Sequence, residues 1–208
     1  MTVGLVNYGM GNLGSVRRAL EDLDVQVVIA ERPDALAGAD RLVLPGVGAF
    51  NEAMARLRAG GWDTALHREV RDRGTVLLGI CLGMQMLAAS SDENGLTEGL
   101  GFIPGKVRRL DAMGCSLRVP HVGWNEVRFS GGACLFQGIP QAIDFYFVHS
   151  FALAPCAEGV CATATYGADM AAAVERGRVL GTQFHPEKSS AAGRQVLRNF
   201  LAVPSGRQ

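Results

Sequence analysis

Four short apolar runs in the N-terminal part of the chain constrain its fold more than any other feature: Val3 to Tyr8, Val25 to Ala30, Arg41 to Pro45 and Thr75 to Cys81. Each is rich in Val, Leu and Ile and nearly continuous, which is the pattern of a strand covered on both faces in a parallel sheet. Between them, apolar residues recur at intervals of three and four. Leu13, Val16, Leu20 and Leu23 form one stripe, Phe50, Met54 and Leu57 a second, and Trp62, Leu66 and Val70 a third. Such stripes predict helices with one buried face. The β-α-β-α order therefore predicts an open α/β fold with a mostly parallel central sheet flanked by helices. Ligands of such sheets bind at the carboxyl ends of the strands, and Cys81 stands at one of those ends.

The C-terminal half has a different rhythm. Strand candidates at Gly105 to Leu110, Leu117 to Val119, Asn125 to Phe129, Asp144 to Ser150 and Val160 to Tyr166 are separated by Gly, Pro and Ser rather than by helices. Met170 to Glu175 and Arg178 to Phe184 read as a hairpin around Arg176-Gly177. These segments predict antiparallel additions to the sheet. A last helix is expected from about Ser190 to Leu201, with Val196, Phe200, Leu197 and Leu201 on one side. No linker, repeat or low-complexity stretch interrupts the pattern, so one domain over residues 1–208 is expected.

Composition narrows the function. Twenty basic residues against twenty acidic ones leave a net charge of zero, which offers no footprint for nucleic acid or an anionic membrane surface. The five cysteines, at 81, 115, 134, 156 and 161, are irregularly spaced with no zinc-like pairs, and the four histidines show no metal spacing. Reduced thiols in a cytoplasmic protein are expected. Met1 to Tyr8 lacks a secretory signal, and the longest apolar stretch, Thr75 to Ala89, is too short to span a bilayer.

The chemistry concentrates in Gly79-Ile80-Cys81-Leu82-Gly83-Met84-Gln85, directly after the fourth apolar run. A cysteine between two glycines, at a turn from strand into helix, has the form of a nucleophile elbow. The turn presents the sulfur at the positive end of the following helix, a setting that stabilises a thiolate. The alternative for an isolated motif is a structural cysteine packed at a strand end. A nucleophile needs a base and an orienting group. His185-Pro186-Glu187 supplies an imidazole and a carboxylate two residues apart, which project together in extended chain. His121 and His149 stand near strand ends, while His67, beside Arg68 and Glu69, reads as a solvated helix residue. Leu44 to Phe50 follows the third strand, and its glycines free backbone amides to approach a ligand. With the amide of Leu82 it forms a candidate oxyanion site, a phosphate site being the competing reading.

Taken together, Pro45-Gly46-Val47-Gly48, Gly79 to Gln85 and Gly181-Thr182-Gln183-Phe184-His185-Pro186-Glu187 resemble, in order, the three signatures of class I, triad-type glutamine amidotransferases. Pro120-His121-Val122-Gly123-Trp124-Asn125 and Tyr146-Phe147-Val148-His149-Ser150-Phe151 narrow the resemblance to the glutaminase subunits of imidazole glycerol phosphate synthases. The resemblance implies that Cys81 attacks the side-chain amide of glutamine, that His185 moves protons and that Glu187 orients His185. Gly46, Val47 and Leu82 fall on the oxyanion positions. Gln85 and Glu93 fall on positions that hold the substrate, and His149, Ser150 and Phe151 on the segment whose backbone receives its α-carboxylate.

No acceptor domain for the ammonia is left over. The resemblance implies a heterodimer with a (βα)8-barrel cyclase subunit, contacted through Asn12, Trp124, Tyr146 and Lys188, and no cofactor. The products would be imidazole glycerol phosphate and an aminoimidazole carboxamide ribonucleotide. Gly14 departs from the bulkier residue of many relatives, and Phe151 from their Tyr. Alternatives are the glutaminase of a sugar-aminating synthase, a free-standing cysteine hydrolase, and an idle binding protein. The intact Cys81, His185 and Glu187 argue against the last.

Overall fold

The computed structural model describes residues 1–206. The elements run β1 (Thr2–Val6), α1 (Leu13–Glu21), β2 (Gln26–Ala30), β3 (Arg41–Gly46), α2 (Phe50–Ala59), α3 (Trp62–His67), β4 (Val76–Cys81) and α4 (Leu82–Leu87). There follow β5 (Ala88–Ser91), β6 (Thr97–Glu98), β7 (Ile103–Arg109), β8 (His121–Phe129), β9 (Ile143–His149) and β10 (Phe151–Leu153). The chain ends with β11 (Val160–Thr165), β12 (Asp169–Arg176), β13 (Val179–Thr182) and α5 (Ser190–Ala202).

The large sheet has nine strands in the order β2-β1-β3-β4-β13-β12-β11-β8-β9. The first five are mutually parallel, and β12, β11, β8 and β9 extend the sheet antiparallel. The fold class predicted from the alternating first half is the one observed.

Continuous apolar strands follow from a sheet covered on both sides. In β3 and β4, Val43, Val76, Leu78 and Ile80 enter one core, with Val16 and Leu20 of α1 and Val196, Leu197 and Phe200 of α5. Leu42, Leu44 and Leu77 enter the other, with Phe50, Met54 and Leu57 of α2 and Trp62 and Leu66 of α3. Removing each such side chain from water stabilises by about 1.5–3 kcal/mol, so the period-two division fixes strand register.

The antiparallel half differs from expectation in several places. A second sheet of four strands, β10-β7-β5-β6, packs beside the first and was not foreseen. Ala88–Ser91 and Thr97–Glu98 are short and nearly devoid of large apolar residues, so no periodicity marks them. Leu117 to Val119 forms no strand; Leu117 is half exposed and Pro120 has no N–H to give a ladder. The hairpin turn falls on Gly177-Arg178, one residue later than expected. His67 is half-buried rather than fully solvated: its ring lies 4.5 Å from that of Phe102, just before β7, and burial pushes its pKa down. Its neighbour Glu69 is fully buried and paired with Arg73 at 2.8 Å. Among the described residues, no helix is long and apolar enough to cross a membrane.

Candidate active site

Cys81 closes β4 with φ 55° and ψ −111°, a conformation that β-carbon-bearing residues rarely hold. Strain of this kind costs about 1–3 kcal/mol and persists only where neighbours over-determine it. Here the two glycines explain how. A β-carbon on Gly79 would stand 2.7 Å from the backbone of Gly83, and one on Gly83 would stand 1.8 Å from the Leu44 carbonyl oxygen. Strand β4, helix α4 and strand β3 therefore touch backbone to backbone. Gly46 is paired with Cys81 across β3 and β4, which brings the Gly46-Val47 peptide beside the sulfur. Leu82 is the first residue of α4, so its N–H has no acceptor within the helix.

His185 enters from the loop after β13. The residue is 3% exposed, and its Nδ1 lies 2.8 Å from Oε1 of Glu187. The pair meets in a helical turn, Pro186–Lys188, rather than in the extended chain expected. The carboxylate fixes the hydrogen on Nδ1 and leaves Nε2 as the working nitrogen. Nε2 is buried without a geometric hydrogen bond, although Cys81 is close enough to perturb the titration of the ring. Burial disfavours the imidazolium, but the Cys81 sulfur and the Glu187 carboxylate together outweigh it and raise the pKa from 6.5 to about 9. The Cys81 thiol approaches Val148 O at 3.8 Å and receives the Gln183 amide at 3.7 Å.

A cavity of about 300 Å³ opens over the sulfur. Of the residues singled out in the sequence, Val47, Cys81, Leu82, Gln85, Glu93, His149, Ser150, Phe151 and His185 line it; Gly46 and Glu187 stand behind the wall. Gln85 is 4% exposed, and its Nε2 donates to Phe151 O at 2.7 Å and Gln183 Oε1 at 3.0 Å. Both of its donors are thus engaged within the protein, and its free polar group is Oε1. Glu93 accepts at 2.7 Å from the N–H of Phe50, the first residue of α2, so it also caps that helix. His149 Nδ1 lies 2.9 Å from Phe151 O, which places the polar backbone of Ser150 between two held neighbours.

A buried imidazole oriented by a carboxylate, beside a strained cysteine at a strand end, is a set of groups suited to acyl transfer. The comparisons with known proteins point the same way. The family described as glutamine amidotransferase class-I matches residues 4–203.

The chain belongs to the class-I glutamine amidotransferases.

An imidazole glycerol phosphate synthase subunit HisH of Moorella thermoacetica is 48% identical over 199 residues, covering 95% of this chain and 93% of the relative. The HisH subunit of Bacillus velezensis is 44% identical, covering 99% and 98%. The PurLQS structure from Thermotoga maritima superposes with a TM-score of 0.73 at 18% identity, over 96% and 97% of the two chains, and shares the fold.

In this amidotransferase, the four residues assigned to a partner surface occupy neighbouring elements. Trp124 is 52% exposed and meets Tyr146 edge to face, with centroids 6.0 Å apart. Lys188 lies over the same tyrosine, its Nζ 5.7 Å from the ring centroid. Asn12 caps α1, accepting from Ser15 N at 3.3 Å, and α1 packs on the Pro186–Lys188 turn. The cavity also has residues that sequence reasoning did not single out. Gly48, Pro120 and Val148 line it, and Gln183 bridges Cys81 to Gln85. All four lie inside the motifs quoted above, where the residue types gave no reason to separate them from their neighbours.

Proposed function

We propose that this chain is the glutaminase subunit of an imidazole glycerol phosphate synthase. Glutamine occupies the cavity over Cys81, with its α-carboxylate against the Ser150 backbone and its amide carbonyl carbon at the sulfur. The proton of the Cys81 thiol rests on His185 Nε2, whose pKa is raised to about 9, and the sulfur attacks that carbon as a thiolate. The oxyanion is held by the Leu82 N–H and by a donor from the Gly46-Val47 segment. His185 then returns the proton to the amide nitrogen, the C–N bond breaks and ammonia leaves behind a glutamyl thioester. Water, deprotonated by the same nitrogen, releases glutamate. Glu187 keeps the ring oriented throughout and stabilises its charged form.

Ammonia in water is lost to protonation and diffusion, so the cycle is useful only beside an acceptor. A (βα)8-barrel cyclase subunit, docked over Trp124, Tyr146, Lys188 and Asn12, receives it and makes imidazole glycerol phosphate and aminoimidazole carboxamide ribonucleotide. A cytoplasmic setting fits the five free cysteines. The observation that carries this reading is the strained Cys81 facing a cavity beside the His185–Glu187 pair, in a chain 48% identical to a HisH subunit.

The test uses the chain with its cyclase and the cyclase's nucleotide ligand. Glutamine hydrolysis should rise steeply when both are present. Cys81→Ala should abolish glutamine-dependent synthesis and leave ammonia-dependent synthesis intact. Loss of both in that variant, or full activity without the cyclase, contradicts the division of labour.

A further inference from the structure

His121 has no part in the reaction scheme above, yet it is 2% exposed and belongs to a run of hydrogen bonds that starts in the cavity wall. The run has one direction. Phe151 O can only accept, so His149 Nδ1, 2.9 Å away, carries a hydrogen. A neutral His149 then presents a lone pair at Nε2, and His121 Nδ1 lies 3.1 Å from it. His121 must therefore carry its own hydrogen on Nδ1, which leaves its Nε2 bare. That atom faces the Asn125 amide nitrogen at 3.4 Å, and the same amide donates to Thr165 O at 2.9 Å. Each ring is held as its Nδ1–H tautomer, set by the partner of the other nitrogen.

The rings are also fixed in orientation. His121 is stacked between Tyr166 and Phe147, at centroid distances of 4.0 and 4.9 Å and interplanar angles of 21° and 24°. Burial lowers the pKa of His121 to about 4 and that of His149 to about 3, so both stay neutral and two N–H groups do not face each other. At the cavity end, the Phe151 carbonyl takes a second hydrogen bond from Gln85, on the helix that follows Cys81.

We propose that His121 is a positioning residue for glutamine: through His149 it fixes the Phe151 carbonyl, and with it the Ser150 backbone that meets the substrate's α-carboxylate. The proposal rests on the functional reading above. A ring that merely fills the space between Tyr166 and Phe147 would serve packing equally well. Only the Nδ1–H reaches His149.

Two variants separate these roles. His121→Phe keeps an aromatic ring and removes the donor; His121→Asn gives up the ring and keeps an amide donor near the Nδ1 position. In the complex with the cyclase, His121→Phe should raise KM for glutamine about tenfold, the scale of one buried hydrogen bond lost. Its kcat should change less than about threefold, since the lost contact orients the bound substrate rather than the reacting atoms. His121→Asn should recover most of the lost affinity. Side-chain ¹H–¹⁵N spectra of the unmodified protein should show both His121 and His149 protonated at Nδ1, which is readable whether or not either variant folds. A His121→Phe enzyme with the original KM, a His121→Asn enzyme no better than His121→Phe, or Nε2–H tautomers overturns the inference. An unmodified complex without glutaminase activity would instead overturn the functional reading itself.

Discussion

At the scale of single residues, three buried imidazoles in one region are driven in opposite directions by their surroundings. Burial keeps His121 neutral, at about 4, and burial with a smaller push from the neighbouring His121 and His185 keeps His149 neutral, at about 3. His185 is buried as well, but the Cys81 sulfur and Glu187 reverse the outcome and bring it to about 9. The sign follows from linkage. A pKa raised above the unfolded value of 6.5 contributes stability that is complete below 6.5 and is lost as pH rises through about 9. Titration of ¹⁵N-labelled histidines should therefore give one resonance with a midpoint near 9, assigned to His185. In Cys81→Ala that midpoint should fall, because one of the two groups favouring the imidazolium is gone. A His185 midpoint near 6.5 in the unmodified protein, or no movement in the variant, contradicts this account. In the proposed cycle the imidazolium protonates the departing nitrogen, so the rate should also decline on the alkaline side of the same midpoint.

At the scale of elements, the junction of β3, β4 and α4 determines where the sulfur points. The Leu44 carbonyl lies where a β-carbon of residue 83 would be, so Gly83→Ala must drive β3 and α4 apart. Overpacking against backbone costs about 1–3 kcal/mol, and displacement of β3 carries Gly46 and Val47 with it. Urea unfolding should show that loss, and glutamine hydrolysis should fall further than stability does. Gly132→Ala, with nothing within 4 Å of its β-carbon, should stay within about 0.5 kcal/mol and serves as the comparison. This junction was legible in the sequence because local chemistry encodes it: an apolar run, two glycines and a cysteine. The central parallel strands β3 and β4 were legible because both faces are buried, so nearly every position is apolar. The second sheet was not. Ser90 and Ser91 pair through backbone with Glu98 and Thr97 on one side and with Lys106 and Val107 on the other, and these short polar segments carry no apolar alternation to mark them. His67 was misread because Phe102, which covers it, lies on a distant segment. The imidazole–carboxylate pair was visible as two residues, but its helical turn was not, because Pro186 permits both backbone shapes.

At the scale of the whole molecule, one hairpin serves two surfaces. Residues alternate along β8 and β9, and their register pairs Val122 with Val148, Trp124 with Tyr146 and His121 with His149. Val122, Trp124 and Val148 are exposed on one face, while Phe145, Phe147, His121 and His149 are buried on the other. The outward apolar face is continuous with the cavity, since Val148 also lines it and its carbonyl meets the Cys81 thiol. A partner pressed against Trp124 would therefore bear on the strand pair that holds the Ser150 backbone proposed to meet glutamine. Such a contact would give the proposed dependence on a cyclase a mechanical basis, and it makes Trp124 the residue to remove. The side chain is 52% exposed, so Trp124→Ala should leave unfolding of the isolated chain within about 0.5 kcal/mol. Aromatic anchors at an interface centre carry about 2 kcal/mol or more, so Kd for the cyclase, read by titration calorimetry, should weaken by about thirtyfold. With the cyclase at saturating concentration, the variant should bind it and still hydrolyse glutamine more slowly, because the contact that bears on β8 is missing. Unchanged affinity would place the partner elsewhere; full activity at saturation would leave Trp124 an anchor with no hold on the site.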